Sequence, residues 1–223
     1  MTDLKKKRRG GFYWIKENPY ISVTKILSVI DKPALRWWYG KEVYMALAKD
    51  PSMSQKDALA APYNKSKTAM KRGTAVHDIV EAWKNIDEVV GGTSIYKEYA
   101  KAFKLWLEDH EVEVQECEKT VVSKKHGYAG TLDMLAKVNG KLMLIDVKTG
   151  KALYPEVHLQ LSAYKEALGS DIGMAALLLK EDGTYTYQIG SNKLEAFLAA
   201  KTLYEGLNSK MLEKVGYEGG EDK

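Results

Sequence analysis

The chain of 223 residues contains a single cysteine, Cys117. That scarcity excludes an internal disulfide framework, a zinc site built from several cysteines and an iron–sulfur cluster held within one chain. Proline is also scarce, with five residues, and phenylalanine scarcer still, with three. No apolar run approaches the roughly 18 residues that a membrane-spanning helix needs. The basic opening MTDLKKKRRGG leads into no apolar stretch of the kind that follows in a secretory signal, so a cytoplasmic setting is expected, with no membrane partner. A large excess of one charge is missing too. The net +4 comes from 34 basic and 30 acidic residues, and Lys5, Lys6, Lys7, Arg8 and Arg9 account for more than all of it. Net charge therefore does not establish nucleic-acid binding, although a basic arm could contact phosphates.

Apolar residues make up 45% of the chain and charged residues 29%, as in ordinary globular proteins. A chain of this length buries about 70% of its unfolded surface. The expected organisation is a flexible basic tail over 1–11, one domain over 12–215 and a flexible tail over 216–223. Within the domain, 12–110 reads as mainly helical and 111–215 as sheet core and helices.

Ser22 or Thr24 can cap a short helix, stopped by the turn at Asp31-Lys32-Pro33. A second helix is predicted from Pro33 to about Lys49, and a third from Lys65 to about Asn85, interrupted by Gly73. Another amphipathic face follows Gly91-Gly92, with Tyr96, Tyr99, Phe103, Trp106 and Leu107. The period then changes to that of strands at 112–123, 128–138 and 141–147, and Asn139-Gly140 is a strong hairpin signal between the last two. A helix from about Pro155 to Leu168, strands at 172–179 and 184–189, and a last helix capped by Ser191 and running to about 213 complete a mixed α/β sheet flanked by helices.

Two of these strands carry charge where their pattern calls for burial. Asp146 and Lys148 leave the same face of a strand that is otherwise apolar, and Asp133 interrupts Leu132, Met134 and Leu135. A turn at Asn139-Gly140 pairs Val138 with Lys141 and so sets Asp133 opposite Asp146. Two such carboxylates repel unless a cation lies between them. One reading is a buried Asp–Lys pair with the second aspartate satisfied by backbone donors. The other is a site for a hard divalent ion, which prefers oxygen ligands.

The segments RGTAVH (72–77), GYAGTLDM (127–134), IDVKTGK (145–151) and QLSAY (160–164) occur in an order that resembles the PD-(D/E)XK nuclease superfamily, in its RecB-like, phage-exonuclease branch. The stretch SVTKILSVIDKPALRWW (22–38) is a looser match to what precedes this module in phage exonucleases. The resemblance implies a restriction-endonuclease-like core and a Mg²⁺- or Mn²⁺-dependent deoxyribonuclease using one or two ions. His77, Asp133, Asp146 and the carbonyl of Val147 would be metal ligands, and Asp133, Asp146 and Lys148 the catalytic set, with Lys148 beside the attacking water. Glu118 and Glu81 are further candidates for the metal or its surroundings, although His77 and Glu81, four apart on a helix, can simply pair. Gln160, Tyr164, Arg72, Lys71 and Lys151 would contact DNA.

The motif's usual proline is replaced by Leu132, and the cysteines of the cluster-bearing relatives are missing, so no iron–sulfur cluster is expected. The implied role is a DNA exonuclease in phage or bacterial replication, recombination or end processing, acting on single-stranded or duplex ends beside replication or recombination proteins. The alternatives are a flap or branched-DNA endonuclease of the same fold and a catalytically silent DNA-binding module. Arg36-Trp37-Trp38-Tyr39 and the basic stretch Lys65, Lys67, Lys71 and Arg72 suit unpaired strands, although helix packing is the preferred reading of Trp37 and Trp38.

Overall fold

The computed structural model describes residues 6–169 and 171–221. Its centre is an eight-stranded mixed sheet. At the N-terminus β1 (Lys6–Arg9), β2 (Phe12–Ile15) and β3 (Asn18–Ser22) form an antiparallel meander. The basic segment expected as a flexible tail is thus a strand from Lys6 onward, while the part of that expectation covering 1–5 lies outside the described residues. Gly10 and Gly11, with φ of 63° and 83°, form the tight turn that returns the chain into β2.

Ser22 accepts the Lys25 N–H at 3.2 Å and caps α1 (Val23–Ile26), which continues as a 3₁₀ turn to Val29. Helix α2 (Pro33–Lys49) begins at its proline, as expected. Helix α3 (Gln55–Glu81) starts ten residues before the predicted Lys65, with Ser54 as its cap and Pro62 inside it. Then come α4 (Ile86–Gly91) and α5 (Lys97–Asp109), the latter burying Tyr99, Phe103 and Trp106.

The sheet core consists of β4 (Val112–Ser123), β5 (Tyr128–Val138), β6 (Lys141–Thr149), β7 (Gly173–Leu179) and β8 (Tyr185–Ile189). Helix α6 (Glu156–Leu168) crosses between β6 and β7, which are parallel. Helices α7 (Leu194–Leu207) and α8 (Ser209–Lys214) close the chain. Ser191 does not cap α7. Instead the Leu194 N–H donates to Asn192 Oδ1 at 3.1 Å. The C-terminal segment, also expected to be flexible, lies against the β4–β5 turn as far as it is described. The Glu221 N–H donates to the Lys124 carbonyl at 3.2 Å, and the Tyr217 hydroxyl donates to Glu205 at 2.7 Å. Residues 222 and 223 fall outside the described chain.

Each face of the sheet has its own core, because the central strands alternate apolar side chains to both sides. Ile21, Leu132, Leu144, Leu161, Tyr164 and Phe197 pack on one face, with α1, α6, α7 and α8. Val76, Val80, Phe103, Trp106, Met134, Ile145 and Leu177 pack on the other, with α3, α4 and α5. No described helix is long and apolar enough to cross a membrane.

One irregularity positions the site. β4 runs along one edge of β5 for its whole length, and the other edge is shared. β3 pairs there with Tyr128 and Ala129, and β6 with Met134 through Val138, so the sheet forks beside Gly130–Asp133. On the β4 side the ladder also skips the pair Glu118 and Asp133, and Glu118 has a left-handed φ of 49°. Glutamate rarely adopts that conformation, which collects at functional sites.

Candidate active site

Asp133 stands at the fork. The hairpin register is the one expected from Asn139-Gly140: Met134 faces Ile145 and Val138 faces Lys141. The ladder stops one step short of Asp133 and Asp146. There the Asp133 side chain replaces a backbone partner, its Oδ2 accepting the Val147 N–H at 2.6 Å. Its other oxygen, Oδ1, lies 3.4 Å from Nδ1 of His77, which α3 brings in from the opposite layer. Glu118 Oε1 lies 3.7 Å from the same nitrogen. The unusual backbone of Glu118 accompanies this placement of its carboxylate at the fork.

His77, Glu118 and Asp133 thus present three ligand atoms within 4.8 Å of one another. An imidazole nitrogen with two carboxylate oxygens fits a divalent cation. The electrostatics fit as well, since the charges of Asp133, Glu118 and Asp146 gather around His77 and Lys148. Contact with the Asp133 carboxylate raises the His77 pKa to about 9, against the opposing pull of burial. Burial and the nearby Asp133 push Glu118 upward.

Asp146 is 1% exposed, and burial raises its pKa to about 6 even with Lys148 opposing the shift. Lys148 Nζ stands 2.6 Å from Oδ2 of Asp146, yet neither oxygen has a hydrogen bond of acceptable geometry among the described residues. Asp146 is not among the three clustered ligands. Its closest cation is Lys148, although the charges of Asp133 and His77 both act on it. Burial pulls Lys148 down, but Asp146 and Asp133 prevail and its pKa is raised.

Lys148 is oriented from the other side by α6. Its Nζ donates to Gln160 Oε1 at 3.3 Å, and Gln160 Nε2 donates to the Tyr164 hydroxyl at 3.1 Å. Tyr164 was expected near DNA but is 3% exposed, so it offers nucleic acid no surface. Its ring occupies the space above Gly130, where any β-carbon would overlap it. It supports the Gln160–Lys148 chain from within the core.

The remaining expectations divide. Val147 reaches the cluster through its N–H bond to Asp133. Glu81, on the last residue of α3, is not one of the clustered ligands, but its charge adds to the upward push on Glu118. Arg72 lies half-buried with its guanidinium 6.0 Å from the Tyr99 ring, whereas Lys71 and Lys151 are exposed. Cys117 is half-buried, and burial raises its thiol pKa to about 11, so it stays protonated and unreactive. Trp38 is half-buried, in edge contact with Tyr39, whereas Trp37 is 71% exposed, so packing accounts for only one of the pair.

Sequence reasoning did not anticipate a cleft of about 890 Å³ that opens on Lys148, Thr149 and Gln160. Its far wall is the α1–α2 connection and the start of α2, including Ile30, Lys32, Arg36 and Tyr39. The apolar spacing of Leu27, Ile30 and Leu35 beside basic residues was the available signal, but only the fold places it opposite Gln160.

No family model and no curated protein matches the chain. Among solved structures, the chain is similar to an alkaline exonuclease, LHK-Exo, from Laribacter hongkongensis, with 15% identity over 88% of this chain and 91% of that one and a TM-score of 0.47. It is similar to the same enzyme in complex with dAMP, with 16% identity, 88% and 93% coverage and a TM-score of 0.44. It is also similar to SSO0001, with 15% identity over 59% of this chain and 74% of that one and a TM-score of 0.34.

Proposed function

We propose that this chain is a divalent-metal-dependent deoxyribonuclease that hydrolyses phosphodiester bonds at DNA ends, as an exonuclease. The observation that carries this reading is the His77–Glu118–Asp133 cluster beside the buried ion pair of Asp146 with Lys148. His77, Glu118 and Asp133 would hold Mg²⁺ or Mn²⁺, with Asp146 and the Val147 carbonyl alongside. A divalent ion bound there polarises a phosphate and lowers the pKa of water, which is the chemistry hydrolysis needs at neutral pH.

The side chains supply the rest. Lys148 presents a cation at the mouth of the cleft, where it can hold a phosphate oxygen and stabilise developing negative charge. Gln160 fixes the direction of that ammonium, and the buried Tyr164 fixes Gln160. Water would be the attacking group, with the Cys117 thiol held protonated by burial.

The test is digestion of end-labelled linear DNA and covalently closed single-stranded circles with Mg²⁺. Wild type shortens the linear DNA and spares the circles, and Asp146→Asn is slower by about a hundredfold or more. Equal digestion by both proteins rejects the site, and cutting of closed circles rejects the exonuclease.

A further inference from the structure

Helices α2 and α3 form an antiparallel hairpin that stands largely outside the two cores. No residue of α2 is buried, and the α3 segment before Val76 buries only Ala58 and Pro62. The hairpin is held together by the edge contact of Tyr39 with Tyr63, at 5.4 Å between ring centroids, and by the Lys65–Glu42 ion pair.

Along α3 the residues Tyr63, Met70 and His77 fall seven apart. That is nearly two helical turns, so the three lie in one row spaced about 10 Å apart along the axis. Lys67 and Thr74 sit four residues after Tyr63 and Met70, within the same row. Tyr63 is 60% exposed and Met70 is 72% exposed, and Lys67 and Thr74 are exposed as well. The row therefore begins as an uncovered aromatic and apolar surface with a cation in it, and it ends at a side chain of the metal cluster. From Gln55 to His77 the helix carries Lys56, Lys65, Lys67, Lys71 and Arg72 against one acid, Asp57.

We infer that this row is a track for an unpaired nucleic-acid strand, which lies along α3 with Tyr63 and Met70 against its bases and Lys67 on its backbone, and runs into the site at His77. The inference rests on the nuclease reading and adds the strandedness of the substrate. Charge favours a polyanion, and the exposed apolar surface selects among polyanions. In a duplex the base faces are stacked on each other and only edges and phosphates are presented, whereas a single strand offers faces to an aromatic ring. From Tyr63 to His77 the row spans about 21 Å, room for about six nucleotides at the 3.4 Å stacked spacing. Tyr39 backs the Tyr63 ring from α2, so that ring is fixed before a base arrives.

The test uses the full-length protein in EDTA, where hydrolysis does not interfere, with a labelled oligothymidylate and a blunt duplex of equal length as probes in fluorescence anisotropy. Tyr63→Ala with Met70→Ala weakens oligothymidylate binding about tenfold and duplex binding less than about twofold. Tyr63→Phe restores the affinity, and Lys67→Ala lowers the salt slope by about 0.7. Leu207→Ala, which removes an exposed apolar side chain on α7, leaves binding unchanged. Unaltered affinity in the double variant, equal losses on both probes, or no oligothymidylate binding by wild type overturns the proposal. So does a wild-type dimer that the double variant dissociates without losing the oligonucleotide, which would make the row a contact between copies. Asp146→Asn separates the two claims: intact binding without hydrolysis supports both, whereas hydrolysis by wild type with unaltered binding in the double variant overturns the track alone.

Discussion

At neutral pH the metal-free His77 holds a proton, because the Asp133 carboxylate raises its pKa to about 9. A metal ion needs the neutral imidazole, so cation and proton compete for one nitrogen. Metal uptake near pH 7 is therefore expected to release about one proton and to tighten as pH rises toward 9, levelling off above it. Calorimetry in buffers of different ionisation enthalpy reads that proton directly, and His77→Gln abolishes the release. A proton count of zero in wild type would show that His77 is no ligand.

At this scale the candidate site was legible in part. Asp133, Asp146 and Lys148 stood out as charges in apolar strands, and the Asn139-Gly140 turn gave the observed register. Tyr164 was placed near DNA by the resemblance alone, and a motif position does not say whether the hydroxyl meets solvent or, as here, the half-buried Gln160. Nothing local in the sequence marks the left-handed backbone of Glu118.

The element that organises the chemistry is β5, with one edge divided between β3 and β6. Where the ladder lapses, Gly130 leaves room for the Tyr164 ring, which carries Gln160 and through it Lys148. Gly130→Ala is expected to cost about 1–3 kcal/mol, as overpacking does. It should also lower the rate of DNA hydrolysis with little change in substrate affinity, since the displaced ring disturbs the lysine rather than the cleft wall. Denaturant unfolding and steady-state kinetics check both halves, and a variant with wild-type rates would show that Tyr164 does not govern Lys148.

The β4–β6 strands and most helices could be read from periodicity. The N-terminal meander could not, for β1 and β2 are four residues each and the Lys-Arg run reads as a solvated arm until β2 is there to pair with it. Helix α3 extends upstream of the expected Lys65 through Pro62, which lies buried inside it although proline usually ends a helix.

Across the whole molecule, the candidate metal ligands join the two layers: His77 comes from the helix packed on one face, and Glu118 and Asp133 from the sheet itself. An ion bound there would tie α3 to the β4–β5 pair and stabilise the folded state by linkage. Calcium, expected to occupy the site, should add about 2.7 kcal/mol at a hundred times its Kd, a rise in Tm of about 5–10 °C for a chain of this size. Asp133→Asn keeps an acceptor for the Val147 N–H but removes a charged ligand, so its own Tm should stay near the wild-type value while the calcium-induced rise disappears. Thermal melts with and without calcium measure both, and an equal rise in the variant would place the ion elsewhere.

The C-terminal residues have a bearing on all of this. Through the Glu221 amide the last described residues are fastened to the bend joining the strands that bear Glu118 and Asp133, and through the Tyr217–Glu205 contact to α7. A tag, a fusion or a tether pulling at that end would tug on the bend itself, so cargo attached there reaches two candidate ligands by a short mechanical path.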